Sequence, residues 1–335
     1  RFRAGMTILH DGAHIAQELI ATRCQRGADI ARLLRFPESV AQGIYSLDEH
    51  YNGQGKPDKL AGQAIPLFSR IALLAQVIDV FHTADGARAA QAEVRQRAGS
   101  WFDPQLVLAF ERVAQSAAFW SMLRSQDLTA AVAALEPANR SVPVDEDYLD
   151  DIAAAFGQVV DSKSPYTSGH SARVALYADM IAETLGVTPE RRRWLKRGAL
   201  LHDVGKLGVS NSVLDKAGKL DADEWLAVQQ HAHYTQTILS RIDAFAELAV
   251  VAAAHHERLD GKGYPRGLTA DDISLETRII TTADIFDAIT ADRPYRGPIP
   301  IPKALEIMAE TVGTAIDAQC FAALKVALER LPDLA

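Results

Sequence analysis

The chain is 335 residues long, 48% apolar and 23% charged, with a formal net charge of −8. That length exceeds the usual size of one hydrophobic core, so two globular units are expected, each with enough apolar residues to bury a real core. The acidic balance argues against a binder of nucleic-acid polymers, and no apolar run is read as reaching the roughly 20 residues of a membrane span, so neither partner is expected.

In chain order, the start Arg1-Phe2-Arg3 has no initiator Met and no signal-peptide pattern, and is read as lying inside a longer protein. Cys24 and Cys320 are the two cysteines, one in each half. They make no disulfide framework and are read as buried core residues of a cytoplasmic protein. Nearly all of the sequence shows apolar residues at three- and four-residue spacing, as in Asp147 to Val160 and Ser171 to Leu185. Strand-like alternation is almost absent. Gly186 stops one helix, and Thr188-Pro189-Glu190 caps and opens the next. The fold class is therefore all-α. Pro137, Asn139, Ser141 and Pro143 break the pattern and mark a boundary, giving units 1–136 and 137–335.

The two halves repeat. Glu49-His50-Tyr51-Asn52-Gly53-Gln54-Gly55-Lys56-Pro57 aligns without a gap on Glu257-Arg258-Leu259-Asp260-Gly261-Lys262-Gly263-Tyr264-Pro265, an offset of 208 from 49 to 257. The offset persists at Leu60 and Leu268, Ile65 and Ile273, Arg70 and Arg278, and Asp79 and Asp287. Phe102-Asp103-Pro104 likewise matches Ile316-Asp317-Ala318 before a closing helix. In this register His231 falls on Arg23, His255 on Leu47, His256 on Asp48 and Asp284 on Gln76, while counterparts of His170 and His202-Asp203 would precede Arg1. The first unit is thus a degenerate copy. His10-Asp11 is out of register and is read as surface or cap residues.

Six of the ten histidines lie between His170 and His256. With Asp203 and Asp284 they suggest a metal site of imidazole and carboxylate ligands: His170, His202, Asp203, His231, His255, His256 and Asp284. Adjacent residues on a helix diverge by about 100°, so the pairs His202-Asp203 and His255-His256 fit helix ends that serve two cations, with Asp203 shared between them. His10, His14, His50 and His82 are read as ordinary surface or packing residues, and His233 as exposed on a different helix face from His231.

From about Tyr148 to Arg330 the chain resembles the HD-GYP domain, a branch of the HD phosphohydrolases. The residues that carry the resemblance are His170-Ser171-Ala172-Arg173-Val174, Leu201-His202-Asp203-Val204-Gly205-Lys206, His255-His256 through Gly263-Tyr264-Pro265, Ala283-Asp284-Ile285-Phe286-Asp287-Ala288, and Arg293-Pro294-Tyr295-Arg296. The resemblance implies an all-helical fold and a binuclear centre, often of iron or manganese, that hydrolyses cyclic dinucleotides. One ion would take His170, His202, Asp203 and Asp284, and the other Asp203, His231, His255 and His256. Members with a third ion use a glutamate where this chain has Tyr166, so two ions are expected. The family's usual proline after the third ligand is Ala232 here, and its usual glycine three residues further on falls at Gln236 or its neighbour Thr235.

A water or hydroxide bridging the two cations would attack phosphorus. Lys206 would stabilise the charge that develops and assist the leaving oxygen. Arg293 and Arg296 would bind the second phosphate or a guanine edge. Gly261, Gly263, Tyr264 and Pro265 would shape a loop beside the site, with Tyr264 serving loop architecture or substrate contact. Asp287, shared with Asp79 of the degenerate copy, is read as structural. The leading expectation is a cyclic di-GMP phosphodiesterase of bacterial second-messenger signalling that yields linear pGpG or GMP. The alternatives are a cyclic GMP-AMP phosphodiesterase, another HD-type nucleotide hydrolase and a non-catalytic cyclic-dinucleotide sensor. The first unit is expected to pack on the second or to support a homodimer.

Overall fold

Helix starts in this protein are written by their caps. The side chains of Asp145, Thr188, Asp221, Ser274 and Asp317 each accept a backbone N–H from the first turn of the helix that follows, and Asp221 forms a reciprocal capping box with Glu224. The computed structural model describes residues 2–136, 143–164, 169–292 and 297–330, with side chains described from residue 17 onward. The expectations for Arg293, Arg296 and Tyr166, and those for the His10 and His14 side chains, lie outside these residues.

The chain divides into two compact units, Arg1–Pro143 and Val144–Ala335. The first contains α1 (Phe2–Leu33), α2 (Glu38–Tyr45), α3 (Leu67–Asp85), α4 (Ala87–Gln96), α5 (Pro104–Val113), α6 (Ala117–Met122) and α7 (Leu128–Ala133). The second contains α8 (Glu146–Asp161), α9 (His170–Thr184), α10 (Pro189–Leu201), α11 (Asn211–Leu214), α12 (Ala222–Leu239), α13 (Ala246–Ala253), α14 (Leu275–Thr290), α15 (Ile301–Ala309) and α16 (Ala318–Glu329). Among the described residues there is no β-strand, only four isolated bridges. The fold is all-α.

The two units share a set of parts. At the offset of 208, α2 coincides with α13, the 3₁₀ turn Gly62–Ala64 with Ala270–Asp272, and the bridge Asn52 to Ala61 with the bridge Asp260 to Thr269. Glu49 accepts the Asp58 N–H, and its counterpart Glu257 accepts the Arg266 N–H at 2.7 Å. Beyond α3 the offset becomes 214, from Asp103 to Asp317. These two residues cap α5 and α16 and pair with Arg70 and Arg278 respectively. A carboxylate that both caps a helix and meets a guanidinium ties the closing helix to the core twice.

The second unit has helices that the first does not match. There α14 packs against α9 and α10, and Ile279 and Asp287 are sealed at 0% and 1% exposure. Their counterparts on α3, Ile71 and Asp79, are exposed. One expectation needs correction: α3 is long and apolar enough to qualify as a membrane span, with mean hydropathy 1.3. Its Arg70 and Asp79 interrupt the apolar run in sequence but do not outweigh the Leu, Ile and Val content. In the structure one face of it, Leu73, Leu74, Val77 and Ile78, packs with Val94, Phe102, Phe110 and Trp120, while Leu67, Phe68, Ile71 and Val80 are exposed.

The core of the second unit joins Val174, Ile181, Leu195, Ile279, Ile280, Phe286, Met308 and Leu324 from α9, α10, α14, α15 and α16. A second cluster, including Val160, Leu201, Leu239, Phe245 and Leu248, lies beneath the ends of α10 and α12. These clusters hold in place the start of α9, the ends of α10 and α13, and the middles of α12 and α14, on which the site is built.

Candidate metal centre

Three of the imidazoles are oriented in the same way. His202 is the C-cap of α10, His231 lies within α12, and His255 follows the end of α13. Each places Nδ1 against the carbonyl three residues earlier: Ala199 at 2.7 Å, Val228 at 2.6 Å and Ala252 at 2.7 Å. A carbonyl only accepts, so Nδ1 carries a proton in all three, and Nε2 is the atom turned toward the other ligands. His170 opens α9, where N–H groups rather than carbonyls are free. Its Nδ1 instead meets Asp287 Oδ2 at 2.7 Å.

The Nε2 atoms converge. His231 Nε2 and His255 Nε2 are 3.4 Å apart, and His170 Nε2 and His202 Nε2 are 3.3 Å apart. Asp203 lies between the pairs. Its Oδ2 is 3.5 Å from His170 Nε2 and 3.3 Å from His202 Nε2, and its Oδ1 is 3.5 Å from His231 Nε2 and 3.7 Å from His255 Nε2. Asp284 on α14 reaches within 3.4 Å of His170 Nε2. His256 completes a set with His231 and His255, while His170, His202 and Asp284 form another, and Asp203 joins His202 and His255 in a third. The structure thus brings all seven candidate ligands together.

The arrangement fits cations on its own evidence. Asp203 Oδ1 is buried with no hydrogen-bond partner, and the imidazole nitrogens that face it carry no proton to offer. Acceptors turned toward one another in a buried space repel unless a positive charge lies among them. Burial pushes His255 down to about 3, with His202 adding to the effect, and burial also lowers His231 and His256. Neutral imidazoles are the form that ligates. Burial alone would raise Asp203, but Lys206 and His202 outweigh it and hold the carboxylate well below its usual range. For His170 burial is again opposed and outweighed: the contacts with Asp203 and Asp287 push it up to about 9.

Close backbone approach holds the His202-Asp203 turn. A Cβ on Gly205 would sit 1.9 Å from the His231 carbonyl oxygen, so α12 can lie on this turn only because residue 205 has no side chain. Thr235 fastens the contact: its Oγ1 accepts the Gly205 N–H at 2.9 Å and donates to the His202 carbonyl at 3.0 Å. The departures from the family pattern at Ala232 and Thr235 therefore leave α12 regular, with both residues fully buried.

Lys206, in the 3₁₀ turn Val204–Gly208, ion-pairs with Asp203 Oδ2. The Tyr264 ring is 4.8 Å from that of His256 and 6.3 Å from that of His231. His233 is exposed, His50 stacks on Trp101 and His82 on Trp120, none of them in the cluster. Two residues went unrecognised as neighbours of the site. Trp225, 47% exposed in the first turn of α12, lies 6.3 Å from Tyr264 ring to ring. Its signal was a lone tryptophan on the helix that carries His231. Asp287, expected to be structural, has its carboxylate against His170 Nδ1, which puts that role beside a candidate ligand.

The HD-domain family model matches residues 14–106 and 155–320, and the chain belongs to that family, in its HD-GYP branch. Both repeats fall within the match. The chain is 58% identical over 333 residues to 3'3'-cGAMP-specific phosphodiesterase 3 of Vibrio cholerae, covering 99% of this chain and 72% of that protein. It is 34% identical to 3'3'-cGAMP-specific phosphodiesterase 1 of the same organism, over 68% of this chain and 54% of that one. To the cyclic di-GMP phosphodiesterase response regulator RpfG of Xanthomonas campestris it is 36% identical, over 50% of this chain and 45% of the regulator. The chain thus spans about half the length of the latter two. A crystal structure of the cyclic GMP-AMP specific phosphodiesterase V-cGAP3 of V. cholerae superposes with a TM-score of 0.64 at 56% identity, covering 98% of this chain and 76% of that one.

Proposed function

We propose that this chain is a metal-dependent phosphodiesterase that opens a cyclic dinucleotide, with 3'3'-cyclic GMP-AMP preferred over cyclic di-GMP. The observation that carries the metal reading is the pair of unprotonated Nε2 atoms of His231 and His255, 3.4 Å apart beside the unpartnered Oδ1 of Asp203. The substrate reading departs from the leading sequence expectation. It rests on 58% identity across nearly the whole chain to a cGAMP-specific relative, against 36% across half of it for a cyclic di-GMP one. The metal ligands act on the phosphate, whichever purine flanks it.

In this reading His170, His202, Asp203 and Asp284 hold one ion of iron or manganese and Asp203, His231, His255 and His256 hold a second, with the Asp203 carboxylate shared. Such ions, when bound, supply Lewis acidity toward the phosphoryl oxygens and acidify water. Lys206 keeps its ammonium beside Asp203, where negative charge develops on the phosphate, and it has a proton to give the leaving ribose oxygen. The exposed indole of Trp225, edge-to-face with Tyr264, offers a face against which a purine stacks, and Tyr264 lines the site beside His256. Arg293 and Arg296 take the second phosphate or a guanine edge. The first unit contributes no ligands and is assigned a non-catalytic role in a homodimer. The cytoplasm suits two buried cysteines without a disulfide.

Metal analysis together with product chromatography tests the reading. Two ions per chain and conversion of 3'3'-cyclic GMP-AMP to a linear dinucleotide, faster than cyclic di-GMP is opened, are expected. Tight binding with the ligand recovered intact would instead mark a sensor. Faster turnover of cyclic di-GMP would restore the other substrate.

A further inference from the structure

The two sets of ligands are not chemically equal. Three of the imidazoles lean on neutral carbonyls, whereas His170 leans on a carboxylate. That carboxylate is itself fixed. Arg173, one turn along α9 from His170, donates from Nε to Asp287 Oδ1 at 2.6 Å and from a terminal nitrogen to Oδ2 at 3.1 Å. Asp287 is 1% exposed, so its position on α14 is set by the packing of α14 on α9, and one helical turn presents both the ligand and the clamp. The counterpart Asp79 is exposed on α3, so the family repeat alone does not require a buried carboxylate at this place.

We propose that Asp287, held by Arg173, is a positioning residue that makes the ion site of His170, His202 and Asp284 the tighter of the two, leaving the site of His231, His255 and His256 to exchange its ion more readily. The inference rests on the two-ion reading above. A carboxylate accepting the Nδ1 proton raises the donor strength of Nε2 and fixes the ring, an effect a neutral carbonyl supplies less of. The two contacts from the Arg173 guanidinium hold the Asp287 carboxylate in the plane and position that meet His170 Nδ1.

Titration of the metal-stripped whole chain with Mn(II), followed by the electron paramagnetic resonance of the free ion, reads both affinities without any substrate. The native chain is expected to show two unequal affinities. Asp287→Asn, which keeps the shape and removes the charge, is expected to weaken the tighter one by roughly 10- to 100-fold and to leave the weaker one in place. Asp287→Glu should recover part of the loss. Should Asp287→Asn fail to fold by circular dichroism, Arg173→Gln with Asp287 intact reads the same quantity and should weaken the same site. Equal affinities in the native chain, unchanged affinities in the variants, or parallel loss at both sites would overturn the proposal. A native chain that binds two unequal ions but opens no cyclic dinucleotide would sink the substrate reading and leave this one standing.

Discussion

Arg23 and Asp48 form an ion pair at the positions that correspond, in the repeat, to His231 and His256. The first unit thus has an ordinary, largely exposed ion pair where the second has two candidate ligands. All bound metal is then expected in the second unit. Asp203→Ala should strip the chain of its ions and lower phosphodiester turnover by more than the roughly 10- to 100-fold that loss of an outer partner costs. Arg23→Ala should change neither metal content nor turnover, and should cost less than about 1 kcal/mol, because the Arg23 side chain is 67% exposed. Elemental analysis and urea unfolding check both halves of the statement.

Lys206 is placed to act on the reacting phosphate rather than on substrate affinity. Replacing it with Ala should reduce kcat by about 100-fold or more with little change in KM, the pattern for a donor that matters mainly in the transition state. Metal content should hold, since Lys206 ligates nothing. If KM rose and kcat held instead, the ammonium would belong to ground-state binding.

Much of the site is legible in the sequence because metal chemistry is unforgiving about residue type. Imidazoles and carboxylates at His170, His202-Asp203, His231, His255-His256 and Asp284 have few other reasons to accumulate in one half of a chain, and the repeat is plain because Glu49 to Pro57 aligns on Glu257 to Pro265 without a gap. What the sequence conceals is what each helix brings over its neighbour. Asp287 has the same place in the repeat as Asp79, and only the packing of α9 on α14 turns one of them into the partner of His170. Thr235 stands at or beside the place of the family's usual glycine, and its hydroxyl joins α12 to the turn at Gly205 through two hydrogen bonds that no spacing in the sequence announces. Substrate preference is hidden for a different reason, since the residues that choose between purines are not the ones that hold metal.

Trp225 supplies a test of the substrate side. Base stacking on an aromatic side chain contributes about 1–3 kcal/mol, so Trp225→Ala should raise KM for 3'3'-cyclic GMP-AMP by roughly 5- to 150-fold. Trp225→Phe should retain most of the affinity. Hydrolysis of bis(p-nitrophenyl) phosphate, which has no purine, should be nearly unaffected in both. Equal losses on the two substrates, with metal released, would show that the indole merely supports Tyr264 and the loop around it.

The closing helix carries a pH dependence that is independent of the metal centre. Asp317 accepts the N–H groups of Gln319 and Cys320 at 2.9 and 3.0 Å and pairs with Arg278 at 2.9 Å. Burial would raise its pKa, but these N–H donors and the guanidinium outweigh burial and lower it. A carboxylate with a lower pKa folded than unfolded stabilises the fold fully at pH values above its unfolded value of about 3.9, and that stabilisation is lost as the pH falls through the folded value. At neutral pH, Asp317→Ala should lower the stability of the second unit by about 0.5–2 kcal/mol, the range for a lost helix cap. The gap between variant and native chain in urea unfolding should narrow as the pH is taken from 7 to about 3 and below. A gap that stays constant across that range would assign the stabilisation to the shape of the side chain and not to its charge.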